Sequence, residues 1–548
     1  MPPLQQSEVD HAAGALGRAL LEFVCARPIE EIAGSGAATA IVRQINGVLA
    51  TVVGEAEDPK AMGEFLRYRL SEEVDGEVLA LTLHKQAGGV VSLPETTDRL
   101  DGLVVRMAAE CYSTLLLPPD PFWADFPAGR LSTNATSLLF RHHLAAEFQA
   151  GVVSDAELAK IFKNETDHTG RTTDMIYRST GRGNSLQLWS LLELIMAGAW
   201  RARPADGATP VISHYCQLAL DRWQLVRRLL TTKSQVSVPA WFAFAGVRLP
   251  GGPYTFGDLV LRQAGDQDGD RVPKSIRGQL QTTNPDGEVV AIDYAGDVVA
   301  EAQVPYLVRF RAESDDSLPE WPADLVKANR TAELTEQLRV SLLLAVRREQ
   351  RVQIAPSWQS IDDPLDQYPS QGWSDPRQVV GLMPTILSEE EVGEWQTWFG
   401  YVASPGSERL AIAMNRIIRA TAERRDPVDV LIDSVIAWEN MFGSSQGEPT
   451  LRVTASLALL LRSDPTERLD LREKLGKIYT LRSKAVHGSS QPKQTEIALC
   501  YEALDFAIAA LRRIFGDRPD LLTEKDGTGR SLKLILGQAP TTTTGPDA

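Results

Sequence analysis

DVLIDSVIAWENMFG, residues 429–443, sets Leu431, Val435, Trp438 and Phe442 at intervals of 0, 4, 7 and 11. Those intervals fall on one side of a helix with 3.6 residues per turn, so the stretch predicts an amphipathic helix. The same period recurs on both sides of it. Leu410, Met414 and Ile417 precede; Val453, Leu457 and Leu460 follow, then Leu471, Leu475 and Ile478, then Ile497, Tyr501, Leu504, Ile508 and Leu511. Five such helices with short connections predict a bundle over 401–520 whose apolar stripes share one core. The residues beyond it, 521–548, end in QAPTTTTGPDA and are expected to form a disordered tail.

Upstream, the period changes. WFAFAGVRL (241–249), GDLVLRQ, IRGQLQTT, GEVVAID and VPYLVRFRA follow one another at short spacing, with the turn signal Asn284-Pro285-Asp286-Gly287 among them. Their aromatic and β-branched content, with Tyr306, Val308 and Phe310 alternating with Leu307, Arg309 and Arg311, predicts a small antiparallel β unit over 233–312. A lone sheet of that size leaves one apolar face wet, so it is expected to pack on a helix. Residues 313–400 read as a connector: a helix over 334–348, a loop over 356–377, and a helix opened by Ser388-Glu389-Glu390-Glu391 as N-cap and acidic first turn. Residues 1–232 are mostly helical in pattern, notably 16–24, 38–53 and 186–200. Ser154-Asp155-Ala156-Glu157 offers a further helix start, and the proline-rich 116–127 divides the region into two lobes. The expected fold is multidomain and mainly α: helical N-terminal lobes, a small antiparallel β unit in the middle, and a C-terminal helical bundle.

The whole-chain numbers agree with that division. At 548 residues the chain has room for two to four domains of about 100–150 residues each. Its 43% hydrophobic and 23% charged content excludes a mainly disordered or collagen-like chain. Cys25, Cys111, Cys216 and Cys500 lie far apart with no C-x-x-C pair, which gives neither a disulfide framework nor a zinc cluster and fits a reducing compartment. The polar, acidic start MPPLQQSEVDHAAG lacks the form of a signal peptide, and the most apolar helical stretch, 186–200, is shorter than the ~18 residues of a membrane span. A cytoplasmic protein with no membrane partner is the expectation. The net charge of −16 is unevenly spread: residues 408–520 hold 17 Lys+Arg against 16 Asp+Glu, or +1, leaving −17 for the rest. Charge therefore permits a polyanion near the bundle without predicting one.

Common catalytic signatures are missing. The chain has no G-x-x-x-x-G-K-[ST], no H-E-x-x-H and no G-x-S-x-G, and Gly34-Ser35-Gly36 and Gly181-Arg182-Gly183 are incomplete glycine fingerprints. Arg141-His142-His143 invites a metal reading. Adjacent histidines on a helix point about 100° apart, however, and no Cys, Asp or Glu recurs at ligand spacing, so the pair reads as structural or exposed. His168 lies in a polar loop. No metal and no cofactor are expected.

One run stands apart: Tyr479-Thr480-Leu481-Arg482-Ser483-Lys484-Ala485-Val486-His487-Gly488. Leu471, Leu475, Ile478 and Arg482 fall at 0, 4, 7 and 11, so Arg482 continues an apolar stripe. It must snorkel past the core's edge or be held at a half-buried site. His487 is about 140° further round an ideal helix. Gly488 is a natural helix terminator, and release of the chain near Val486 or His487 lets the imidazole swing beside the guanidinium. Spacing alone favours a plainer reading, a C-terminal cap, since both cations favour a helix C-terminus by up to ~1 kcal/mol without any chemistry.

With RLAIAMNRIIRA, DVLIDSVIAWENMFG (Asp433 and Glu439), GEPTLRVTASLALLL (Glu448) and YTLRSKAVHG in this order, the stretch 408–515 resembles the Apea-like branch of the HEPN superfamily. Ser483 stands where many HEPN nucleases carry Asn, Asp or His, and Pro449-Thr450 follow Glu448 where an E-L-T-type start is common. The resemblance covers roughly one fifth of the chain and leaves 1–232 without a family. It implies a HEPN-like bundle that cleaves RNA without metal, through 2′-OH transesterification. In that scheme His487 transfers protons near its ordinary pKa of about 6.5. Arg482 holds the phosphorane charge with its planar fork. Ser483, Lys484 and Tyr479 assist at the phosphate, and Glu439 fixes Arg482. It also implies RNA as partner and a homodimer that brings two Arg-x4-His motifs to one cleft. Large regulated effectors of anti-phage defence or toxin type are the analogous proteins. From a different class, the same bundle is also read as a non-catalytic RNA- or protein-binding module, or as an oligomerising scaffold.

Overall fold

In the computed structural model, residues 4–53, 59–117, 133–162, 168, 175–178, 185–203, 211–232, 234–265, 268, 279–283, 289–293, 295–307, 310–311, 322–366, 368–380, 382–444, 448–487 and 492–537 are described. The chain is mainly helical with a small antiparallel sheet in its middle.

The N-terminal region is built from α1 (Gln6–Leu16), α2 (Arg18–Cys25), α3 (Gly36–Val53), α4 (Pro59–Leu70), α5 (Leu79–Gln86), α6 (Arg99–Leu115), α7 (Thr133–Arg141), α8 (His143–Ser154), α9 (Leu191–Arg201) and α10 (Ile212–Thr232). α6 and α10 run through its centre. Met107, Ala108 and Cys111 on one and Tyr215, Cys216 and Trp223 on the other are fully buried, and the Trp223 indole donates to Asp101 at 3.0 Å. Two local expectations change here. The 186–200 stretch begins as a strand, Ser185–Gln187, before α9 takes over. Asp155 accepts from Glu157 N and Leu158 N with one carboxylate oxygen and from Arg227 at 2.6 Å with the other, but only the 3-10 turn Leu158–Lys160 follows. Most of the proline-rich 116–127, the 181–183 glycines and the 284–287 turn signal lie outside the described residues.

The middle sheet has six antiparallel strands in the spatial order Ser370–Trp373, Ala355–Ile361, Val236–Ala245, Val298–Tyr306, Leu259–Gln263 and Tyr254–Phe256. Val238 faces Val304 and Ala243 faces Val299 in the central pair. A separate hairpin pairs Gln279–Thr283 with Val289–Asp293. The change of period near Val236 therefore marks a real β unit. The loop expected over 356–377 is a correction: it supplies two of the six strands. Trp358 packs on Ala243 and Val299, Ser357, Ser360 and Ile361 are buried as well, and the register against Val236–Ala245 shifts between Pro356 and Gln359.

The sheet does pack on helices. α11 (Pro322–Ala345) crosses the Val298–Tyr306 strand, and α12 (Glu389–Val402) reaches the sheet edge, where Phe256 meets Trp395 and Phe399 edge-on at 5.0 and 5.7 Å. Ser388 and Glu391 form the capping box of α12. The Trp395 indole donates to Leu338 O and Ser341 Oγ and ties α12 to α11.

The C-terminal bundle holds α13 (Ala411–Ala422), α14 (Pro427–Phe442), α15 (Pro449–Leu461), α16 (Pro465–Val486) and α17 (Ile497–Gly516). Leu431, Val435, Trp438 and Phe442 are all fully buried, as their spacing requires. In the last stripe Leu504, Ile508 and Leu511 are buried as expected, and Tyr501 departs from it. Tyr501 is exposed, and the small residues Ala503, Ala507 and Ala510 let α17 approach α14 closely enough for the Trp438 indole to donate to Ala503 O. The expected disordered tail is a second correction. A 3-10 turn, Pro519–Thr523, leads into α18 (Gly527–Ile535), which packs on α14 and α15. Residues 538–548 lie outside the described residues. A continuous apolar core runs from Leu4 to Leu534. All four cysteines are buried and free; burial raises Cys25, Cys111 and Cys216 to about 12 and Cys500 to about 11. Among the described residues no helix is long and apolar enough to cross a membrane.

Candidate functional site

Asp464 starts α16 by accepting from Thr466 N and Glu467 N, with Pro465 in the first turn where its missing N–H costs nothing. Leu471, Leu475, Ile478 and Leu481 then bury one face of the helix. Arg482 comes directly after Leu481, at the margin of that face, and its side chain is 22% exposed. It is the half-buried arginine that the stripe demanded.

α14 supplies its partner. Asp426 and Pro427 begin this helix, and Gly443 ends it by donating its N–H to Glu439 O at 2.7 Å. A Cβ at Gly443 would lie 2.4 Å from that same oxygen, so the close return of the chain requires glycine. Glu439 thus occupies the last turn of α14, where the helix dipole disfavours a carboxylate. Two donors compensate: the Tyr479 hydroxyl at 2.5 Å to one carboxylate oxygen and Arg482 Nη2 at 3.5 Å to the other. Burial first, and then the hydrogen bond to Glu439, raise the Tyr479 phenol to about 12, so it stays a proton donor. Arg482 Nε is buried with no hydrogen-bond partner.

The structure therefore joins Glu439, Tyr479 and Arg482. It does not join the others to them. His487 caps α16, with its N–H donated to Ser483 O at 3.1 Å, and its side chain is exposed. Among the described residues no hydrogen bond or ion pair links it to Arg482. Ser483 is half-buried and Lys484 exposed in the last helical turn. Tyr479 faces Glu439 rather than standing free for a phosphate. Asp433 is 2% exposed and belongs elsewhere, accepting from Arg416 at 2.6 Å and Arg424 at 2.7 Å, which fixes α13 to α14. Glu448 is the exposed residue before α15. Gly488 lies outside the described residues.

Chemically, the arrangement offers a guanidinium oriented by a carboxylate, with an unsatisfied N–H, near the end of a helix that also presents an imidazole to solvent. It can receive an anion. Sequence reasoning missed a second cluster. Glu73 stands beside His142 and His143, from a position 70 residues before His143, so no local spacing could announce it. No family model, curated protein or solved structure matches the chain.

Proposed function

We propose that residues 401–520 form a HEPN-type endoribonuclease that cuts RNA without a metal ion and works as a homodimer. The observation that carries this reading is Arg482: a guanidinium at the rim of the core, steered by Glu439, with its Nε unpaired. A buried N–H without a partner is costly, and it is the exposed part of the guanidinium, 22% of the side chain, that can take phosphate oxygens. RNA provides its own nucleophile. The 2′-oxygen attacks phosphorus as His487 takes its proton, the phosphorus–O5′ bond breaks, and the 5′-oxygen receives a proton from the partner's His487. A 2′,3′-cyclic phosphate and a 5′-hydroxyl result. Arg482 neutralises the charge that accumulates on the phosphorane. The N-terminal region and the sheet would then restrain or recruit the nuclease, as in a defence or toxin-like effector.

The test is incubation of purified protein with total RNA in EDTA. The wild type is expected to leave 5′-hydroxyl ends, and His487→Ala to slow cleavage by ~10²–10⁴-fold. Cleavage that needs added magnesium, or equal rates for both proteins, would overturn the reading. A second reading, a non-catalytic RNA-binding module, is favoured by one observation: nothing among the described residues ties His487 to Arg482. It predicts RNA binding lost in Arg482→Ala, with no cleavage by any form.

A further inference from the structure

α7 ends at Arg141 and α8 begins at His143, so the two histidines do not share one helix. His142 is the extended residue between them, and the break brings the rings together, centroids 4.6 Å apart and planes 27° from parallel. Facing them is Glu73, on the short pair of strands Glu73–Val74 and Glu77–Val78. His143 Nδ1 lies 2.5 Å from Glu73 Oε1, and His142 Nε2 lies 3.8 Å from Glu73 Oε2 and 4.0 Å from Glu110 Oε2. One ligand atom from each of Glu73, His142 and His143 falls within 4.8 Å of the others. The His142 side chain is 0% exposed, yet its Nε2 has no hydrogen-bond partner. A buried ring nitrogen aimed unpaired at carboxylates calls for a physical reason.

We propose that Glu73, His142 and His143 form a binding site for a divalent first-row transition cation, with zinc the natural occupant. Two imidazole nitrogens and one carboxylate oxygen are a donor set that such ions favour, and bonds of about 2.0–2.1 Å put neighbouring tetrahedral ligands about 3.3 Å apart. The observed separations bracket that value, so small side-chain movements close the site. The cation takes the place of the proton shared by His143 Nδ1 and Glu73, leaving the His143 proton on Nε2. His142 Nδ1 accepts from Leu144 N at 3.2 Å, which puts its ring proton on Nε2; coordination there moves that proton to Nδ1 and releases this long bond. Glu110 stands behind the ring as a further negative charge. A cleft of about 450 Å³, lined by Tyr68, Glu72, Asp75 and Arg141, opens onto His142 and leaves the fourth coordination position accessible to water or an anionic ligand.

The experiment uses the full-length protein, stripped with a chelator and titrated with Zn²⁺ by calorimetry and with Co²⁺ by visible absorption. One equivalent per chain, the ligand-field bands of tetrahedral Co²⁺ and a rise in Tm with Zn²⁺ are expected. His143→Ala and Glu73→Gln should each weaken binding by at least ~100-fold, more than loss of an outer partner usually does. No saturable binding, or wild-type affinity in both variants, overturns the proposal. X-ray absorption of the Zn²⁺-loaded wild type does not depend on how the variants fold: two imidazole nitrogens support the site, and sulfur or oxygen-only coordination refutes it. The site lies in the N-terminal region, so its failure would leave the nuclease reading untouched, and the reverse holds too.

Discussion

Arg482 and Glu439 depend on each other. The carboxylate sits against the dipole of its own helix, and the guanidinium carries an unpaired Nε, so each leaves something for its partner or a ligand to supply. If Arg482 grips a phosphorane, Arg482→Lys keeps the charge but loses the fork, and cleavage should fall tenfold or more, each factor of ten being about 1.4 kcal/mol of barrier. If Arg482 only supports the helix end, the lysine should cut RNA as fast as wild type. Cleavage rate and Tm measured together separate the two outcomes. Tyr479→Phe removes a hydrogen bond to a carboxylate that is 31% exposed, so a modest loss of about 1 kcal/mol is expected in urea unfolding. At this scale the sequence was partly legible. The stripe put Arg482 at the core's rim, and the family resemblance pointed to Glu439. Tyr479 follows Ile478 directly, and nothing in that spacing showed that its hydroxyl turns to Glu439 on α14. Glu73 was beyond reach, since only the folded chain brings it to the histidines.

Elements with a clean period were readable, and elements held by single polar residues were not. α14 announces itself through four buried apolar residues. α18, GTGRSLKLI, has two glycines and two cations and resembles a loop, yet it is ordered because Arg530 is 1% exposed and donates to Met441 O and Asn440 O, both at 2.8 Å. Those carbonyls belong to the last turn of α14, so the guanidinium caps the helix that carries Glu439. Gly527 lets the two backbones meet: a Cβ there would lie 2.7 Å from Gly443 O and 2.9 Å from Gly443 N. Arg530→Ala strands buried carbonyls and should cost about 3 kcal/mol. Gly527→Ala should destabilise as well, because both obstructing atoms are backbone and cannot rotate away. Urea midpoints for the two variants provide the check, and midpoints unchanged from wild type would mean that α18 is ornamental. The strand Ala355–Ile361 teaches the same lesson in β form. A proline and two buried serines deprive it of an alternating pattern, and its place in the sheet comes from pairing with Val236–Ala245.

Across the whole molecule, one buried carboxylate latches the N-terminal helices to the sheet. Asp362 follows the Ala355–Ile361 strand and receives Arg222 from α10, with its nearer contact through Nη1, and Arg201 from α9 at 3.1 and 3.3 Å. Its neighbour Asp363 accepts the Tyr306 hydroxyl at 2.7 Å and, through its carbonyl, Arg222 Nη2 at 2.8 Å. Gly198 makes the room, since a Cβ there would lie 2.2 Å from Arg222 Nε. Burial pushes the Asp362 carboxyl upward, but Arg222 and Arg201 outweigh it and hold it below the ordinary carboxylate range. A carboxyl depressed in the folded state stabilises fully above its unfolded pKa of about 3.9 and loses that contribution as the pH falls through its folded value. Asp362→Asn takes the negative charge away from two buried arginines, which keep only their bonds to neighbouring groups such as the Asp363 carbonyl, and should cost about 3–5 kcal/mol near neutrality. Below about pH 3.9 the unfolded carboxyl takes up a proton while the folded one stays ionised, so the gap between the two proteins should narrow there and close only as the pH falls through the lower folded value. Urea unfolding of both proteins from about pH 7 down to pH 3 reads this directly. Parallel curves over that range would mean that Asp362 does not carry the contact between the helical region and the sheet.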